Sequence, residues 1–255
     1  MKKEYPHEQY IIFDYFILDL KNKQIQPYWK ELKDSFPNTI GTIKDIKIEN
    51  DKDNKNILIK SDDSDEVDII ITLDKNNRII TYKNNKVENI SHSFLSKNHS
   101  LTSIELPNAR SIGRSFLTFN HSLTSIELPN VESIGDSFFC KNNSLISIEL
   151  PNARSIGDNF LEDNHSLTSI ELPNVESIGD DFLCFNNSLT SIELPNARSI
   201  GDYFLSNNNS LTSIELPNAR SIGFGFCFSC RNIETANIPL KPELEERLKG
   251  HGKHL

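Results

Sequence analysis

The sequence predicts a repeat solenoid, in which short parallel strands stack coil on coil and are joined by irregular or short helical segments. An α+β region precedes the coils and a short helix follows them. Two observations carry this. From Leu101 the chain reads LTSIELPNARSIGRSFLTFNHS and then begins again at Leu123, Leu145, Leu167, Leu189 and Leu211, a spacing of 22 residues with no insertion. A fixed period of this length is the signature of a stacked array. Only 36% of the 255 residues are hydrophobic, which is low for a compact globule and usual for an elongated one.

Each part of one unit has a physical reason. Leu101, Ile104 and Leu106 are spaced as the inward side chains of a short strand. Pro107 ends that strand by removing a ladder donor, and Asn108 suits the turn. Ile112 points inward again, and Gly113 permits a tight bend that a β-carbon disfavours. Phe116 and Leu117 open a closing segment through Asn120 that is too short for more than about one helical turn. A lone coil leaves an apolar edge exposed, and stacking at roughly 4.8 Å buries it. Six complete units fill 101–232, a partial one runs from Val87 to Ser100, and Ile233 to Pro239 repeats the opening frame. The expected organisation is a capping region over 1–86, a solenoid over 87–239, and a C-terminal helix and tail over 240–255.

The frame L-x-x-I-x-L-P through S-I-G-x-x-F-L-x-x-N resembles the BspA-type leucine-rich repeats, over about 87–239. Those repeats usually run to about 23 residues and close on Ala-Phe-x-x-Cys. This chain has Phe116-Leu117 and Asn120 in those columns, and Cys230 returns to the Asn120 column in the last unit. The resemblance implies a curved solenoid with strands on one face. It also implies a role in binding other macromolecules, as in family members on bacterial and protist surfaces.

In the flanks, Tyr10 to Leu18 is apolar but interrupted by Asp14. Its basic start is followed by Glu4 and Glu8, and no small-residue cleavage site follows. A buried helix or strand is expected there rather than a signal peptide, which favours a cytoplasmic or non-classically secreted protein. Trp29 to Phe36 is expected to form a short amphipathic helix ended by Pro37. The period then moves towards two, predicting strands around Ile43–Ile48, Ile57–Ile59, Val67–Leu73 and Arg78–Tyr82. These would form a cap over the open edge of the solenoid sheet. Pro242 to Leu248, followed by Gly250, is expected to be a short capping helix.

Composition removes several functions. No apolar run approaches the roughly 18–20 residues of a membrane helix. A net charge of −9 with 36 acidic against 27 basic residues disfavours nucleic acid. No catalytic triad, phosphate-cradling glycine loop or metal-spaced carboxylate motif is visible, so no cofactor or metal is expected and the chain is read as a non-enzyme. Cys140 and Cys184 share a column two units apart, which predicts positions outside the coil about 10 Å apart, too far for a disulfide. Cys227 and Cys230 have CxxC spacing without a second pair, so they are read as core residues rather than as a metal or redox site. Four cysteines without a framework fit a reducing compartment. His99, His121 and His165 form an exposed polar column without a consistent ligand set. Asn98, Asn120, Asn142, Asn164, Asn186 and Asn208 sit in Asn-x-Ser sequons, but buried amides bonding to one another and to turn backbone are the expected role.

The charge columns carry the functional hypothesis. Arg110, Glu132, Arg154, Glu176, Arg198 and Arg220 alternate in sign before the last step, predicting cross-coil ion pairs. Glu105, Glu127, Glu149, Glu171, Glu193 and Glu215 instead repeat one sign, which is destabilising when the charges lie directly opposite. Beside them run Thr102, Thr124, Thr168, Thr190 and Thr212, with Ile146 as the exception. This acidic, hydroxyl-lined face is the expected binding surface for a protein partner with a basic surface. The columns of Arg114, Ser115, Thr118, Phe119 and His121 vary most between units and form a competing outer edge. Two alternatives stand beside this: an enzyme or effector activity within 1–86 with the repeats as scaffold, and a surface adhesin or a carbohydrate or ice binder using the threonines.

Overall fold

The computed structural model describes residues 10–12, 16–19, 21–22, 24–27, 43–61, 66–90 and 92–239. The helices expected at Trp29–Phe36 and at Pro242–Leu248 lie outside the described residues. Strands β1 (Tyr10–Ile12), β2 (Phe16–Asp19) and β3 (Gln24–Pro27) form an antiparallel meander, so the described residues of the apolar run are strand. Asp19 closes the β2–β3 turn by accepting the backbone N–H groups of Lys21 and Asn22, each at 3.0 Å, the usual turn-forming use of an aspartate.

Four strands follow where the period of two predicts them: β4 (Ile43–Asn50), β5 (Asn54–Ser61), β6 (Ile69–Asp74) and β7 (Ile79–Asn84), each antiparallel to the next. Ile57, Ile59, Ile69, Ile71, Leu73 and Ile79 bury one face. Strand β7 then changes role. Its free edge pairs parallel with β9 (Ser103–Glu105), with Thr81 opposite Ser103 and Tyr82 opposite Ile104. Ile79 and Tyr82 therefore occupy the columns of Leu101 and Ile104, and the coil frame runs back to Ile79. The meander is a direct continuation of the solenoid sheet, in the order β4-β5-β6-β7-β9-β11, where β11 is Ser125–Glu127.

Each coil contributes two strands. The second strands, β8 (Asn89–Ile90), β10 (Ser111–Ile112), β12 (Ser133–Ile134), β14 (Ser155–Ile156), β16 (Ser177–Ile178), β18 (Ser199–Ile200) and β20 (Ser221–Ile222), form an unbroken parallel sheet of seven. The first strands do not. β9 and β11 continue the meander, β13 (Ser147–Glu149) pairs with β15 (Ser169–Glu171), and β17 (Ser191–Glu193), β19 (Ser213–Glu215) and β21 (Thr235–Asn237) form a third group. Both interruptions follow a unit carrying buried Val131 or Val175, although buried Val87 in the same column is followed by the unbroken β7–β9 pairing.

The closing segment is neither helical nor strand. In every coil three alternate residues, Ser115, Leu117 and Phe119 in the first full unit, have φ near +57°, +55° and +61°. Their N–H groups reach alternately to the next and the previous coil: Ser115 to the Asp136 carbonyl, Leu117 to Phe94 and Phe119 to Cys140. Left-handed backbone is costly for side chains branched at Cβ. None of the residues in these three columns is Val, Ile or Thr, in a chain otherwise rich in isoleucine, and Gly225 takes one of the places at φ +72°.

The glycine column serves another purpose than the bend expected of it. A Cβ on Gly157 would lie 2.5 Å from Asp136 Oδ1 and 2.8 Å from the Asp136 backbone nitrogen, so glycine is required by the closeness of the preceding coil. Gly157→Ala is expected to destabilise by about 1–3 kcal/mol, the range for overpacking. Pairing it with Asp136→Ser should restore little, because the backbone contact remains. Urea unfolding of the two variants measures both statements, and full rescue by the second change would show that only the carboxylate was in the way.

Leucines and isoleucines fill the interior around a spine of phenylalanine. Phe94, Phe116, Phe138, Phe160, Phe182, Phe204 and Phe226 stack one per coil, with ring centroids 5.2–6.3 Å apart. All seven are buried.

Candidate functional site: the solenoid faces

The first-strand face is built by the repeat itself. An identical residue at one column of each coil must stand over its copy, so the parallel pairing puts Glu105 opposite Glu127, Glu149 opposite Glu171 and Glu193 opposite Glu215. The middle four are exposed and Glu105 and Glu215 are half-buried. The row has neutralising ends. Lys83 of β7 lies opposite Glu105 and binds it at 2.6 Å, and that carboxylate holds the Lys83 amine above its ordinary value. At the far end Glu215 faces Asn237.

Five threonines flank this row, and four of them spend their hydroxyl protons internally. Thr102 donates to the Ile80 carbonyl at 2.8 Å, Thr124 to Thr102 at 3.2 Å, Thr168 to Ile146 at 3.2 Å and Thr212 to Thr190 at 3.0 Å. Ile146 and Thr190 stand at the two breaks in the first-strand ladder, where among the described residues no such bond is made. Ile146 is 61% exposed. Those four threonines therefore offer acceptor oxygens rather than free donors.

The arginine–glutamate column forms the expected cross-coil pairs. Arg110 meets Glu132 at 3.2 Å, and Glu176 is held between Arg154 at 3.7 Å and Arg198 at 3.1 Å. All are exposed, so each contributes about 0.2–1 kcal/mol at most. A shallow polar depression of about 340 Å³ lies beside the first of them, lined by Asn85, Lys86, Glu88, Asn108, Arg110 and Asn130.

Inside the coils, the asparagines of the sequons are buried without exception. Asn164 is typical. Its Oδ1 accepts the Asn142 N–H at 3.2 Å, while its Nδ2 donates to the Phe139 carbonyl at 3.0 Å and to Glu162 at 3.1 Å. The pattern repeats at Asn142, Asn186 and Asn208. An amide ladder thus satisfies backbone groups that the irregular segment leaves unpaired, and it is incompatible with a glycan on these residues in the folded coil.

Two expectations about cysteine are corrected. Cys140 and Cys184 are not outside the coil, being 4% and 1% exposed. Their column turns inward because alternate residues of the closing segment are left-handed, and each thiol faces a carbonyl of the next coil, Asn159 or Tyr203. They are free, and burial pushes both thiols up to about 12, so they are poor nucleophiles at neutral pH. Cys227 and Cys230, read as separate core residues, are joined in a disulfide with α-carbons 5.2 Å apart. A turn, with the Cys230 N–H bound to the Cys227 carbonyl at 3.0 Å, brings the two columns together.

The histidines make no shared ligand set. His99 and His121 stack at 5.4 Å, whereas His165 pairs with Asp163 at 3.0 Å. Among the described residues no cluster of His, Cys, Asp and Glu is arranged to hold a metal, and no helix is long and apolar enough to cross a membrane.

The coil geometry agrees with comparison at family level. The model of the BspA-type leucine-rich-repeat region matches residues 74–187 and 154–246, in six copies. This chain belongs to the BspA-type leucine-rich-repeat family. No curated protein matches it. Among BspA-type arrays this one has asparagine at the column where the resemblance leads one to expect cysteine, and the amide ladder is the structural consequence. Membership supports an interaction or adhesion scaffold as the general role.

One feature of the BspA-type array escaped sequence reasoning. Asp136, Asp158, Asp180 and Asp202 form a second acidic row on the outer edge, in the column of Arg114. Each carboxylate accepts the backbone N–H one coil on, at 3.2 Å from Asp158, 2.8 Å from Asp180, 2.7 Å from Asp202 and 2.7 Å from Phe224. The signal was present as four aspartates at the 22-residue spacing.

Proposed function

We propose that the protein is a non-enzymatic interaction module that presents its first-strand face to a protein partner with a basic surface. The observation carrying this is the glutamate row, set in register as the pairs Glu105–Glu127, Glu149–Glu171 and Glu193–Glu215 and exposed along its middle. Nothing in the coil interior requires glutamate there. Like charges set opposite one another reduce stability, and a cationic partner would turn that penalty into affinity and faster encounter. The five threonines would contribute acceptor oxygens beside the carboxylates. The uninterrupted sheet from β4 to β11 favours this over a separate activity in the cap, since it makes the described part of 43–86 an extension of the same surface.

The test compares full-length protein with a variant in which all six glutamates are Gln. The variant is expected to lose the partner retained by the wild type in a pull-down. It is also expected to melt at a higher temperature in low salt, since each relieved like-charge pair contributes about 0.2–1 kcal/mol. Retention of the same partner by the Gln variant, or capture that does not weaken as salt is raised, would rule out the glutamate row as the site.

A further inference from the structure

We propose that the Tyr203–Phe224 corner of the outer edge is a second docking surface, and that it takes an extended arginine-rich segment of a partner protein. This surface is separate from the strand face and does not depend on it.

At this corner the array departs from its own repetition. The column of Ser115 carries Ser, Ser, Asn and Asp through four units, then Tyr203, then Gly225. The column of Arg114 carries the four aspartates and then Phe224. These changes are coupled. A Cβ on Gly225 would lie 2.6 Å from Tyr203 Cδ1, so glycine in the last coil is what admits the tyrosine ring. Phe224 meets that ring edge-on, at 5.7 Å between centroids and 88° between planes. Yet Tyr203 is 42% and Phe224 65% exposed. The pair fills no interior space, and paired large aromatics left on a surface mark an interaction site more often than isolated ones do.

Charge identifies the occupant. Asp202 precedes Tyr203 and its Oδ1 holds the Phe224 N–H at 2.7 Å. Asp181 lies one coil back in the tyrosine column. Burial, and then the carboxylates of Asp180, Asp158 and Asp202, push its carboxyl above the usual range, so these groups share one field. The aspartate row leads away from the rings for about 14 Å, three coil spacings of roughly 4.8 Å, which suits an extended chain rather than a single ion. An aromatic face beside carboxylates favours guanidinium over ammonium. The flat group can stack on a ring while its forked donors bind a carboxylate.

The experiment measures fluorescence anisotropy of labelled Arg-Gly, Lys-Gly and Ser-Gly alternating peptides with the full-length protein. The variant is Tyr203→Ser with Phe224→Asp, residues the array already uses at those columns, so the coil is kept, and circular dichroism verifies this. Because the variant is more acidic, charge alone predicts tighter binding. The expected result is binding of Arg-Gly in preference to Lys-Gly and Ser-Gly, weakened about tenfold or more in the double variant and unchanged in the six-Gln strand-face variant. Binding that is equal or tighter in the double variant overturns the proposal, as do equal binding of Lys-Gly or Ser-Gly, loss only in the six-Gln variant, and no binding to wild type.

Discussion

Asn164→Ala is expected to lower the unfolding free energy by about 2–6 kcal/mol, because two buried backbone groups lose their partners and each costs about 1–3 kcal/mol unsatisfied. Those groups are the Asn142 N–H and the Phe139 carbonyl, whereas the Glu162 carbonyl keeps the Lys141 N–H. The small volume removed is a minor part of the effect. Asn143→Ala, one step outside the ladder on an exposed residue, is the control and should change stability by less than about 0.5 kcal/mol. Urea unfolding followed by circular dichroism distinguishes them. A loss under about 1 kcal/mol for Asn164→Ala would mean that water replaces the amide, and that the ladder is not what holds adjacent closing segments together.

The second large effect belongs to the phenylalanine spine. Phe160→Ala removes a fully buried ring lying 5.2 Å from Phe138 and 5.3 Å from Phe182, and the expected loss is about 3–5 kcal/mol. Its form should be as informative as its size. In a stacked array each coil touches only its neighbours, so a weak coil uncouples the segments on either side. Unfolding is therefore expected to become two-step, with the 22-residue units after Phe160 melting separately from those continuous with β4–β7. Phe119→Ala, on the half-buried outer edge, should leave a single transition. A single, uniformly shifted transition for Phe160→Ala would show that the cap and all seven coils fold as one cooperative body.

Both predictions concern residues whose placement follows from the period. Translation by one unit brings each residue over its copy, so Asn164 must meet Asn142 and Asn186, and Phe160 must meet Phe138 and Phe182. The same logic made the glutamate row, the arginine–glutamate pairs and the four cap strands legible, the last through their period of two.

The sequence by itself thus determined the period, most inward columns, the amide ladder and the glutamate row, because contacts between equivalent residues need only the repeat and the coil spacing. Tertiary structure decided everything that depends on which way the closing segment turns. The sign of φ at Ser115, Leu117 and Phe119 leaves no periodic trace. It carries Cys140 and Cys184 inward and brings Cys227 to Cys230. The absence of β-branched residues at those columns was the one available sign of it. The breaks in the first-strand sheet, the threonine hydroxyls turned to backbone carbonyls and the tyrosine ring seated on Gly225 lie between equivalent columns, but the period fixes only which residues meet and not how they are oriented. A repeat predicts what stands above its own copy, and only the folded backbone sets what stands beside it.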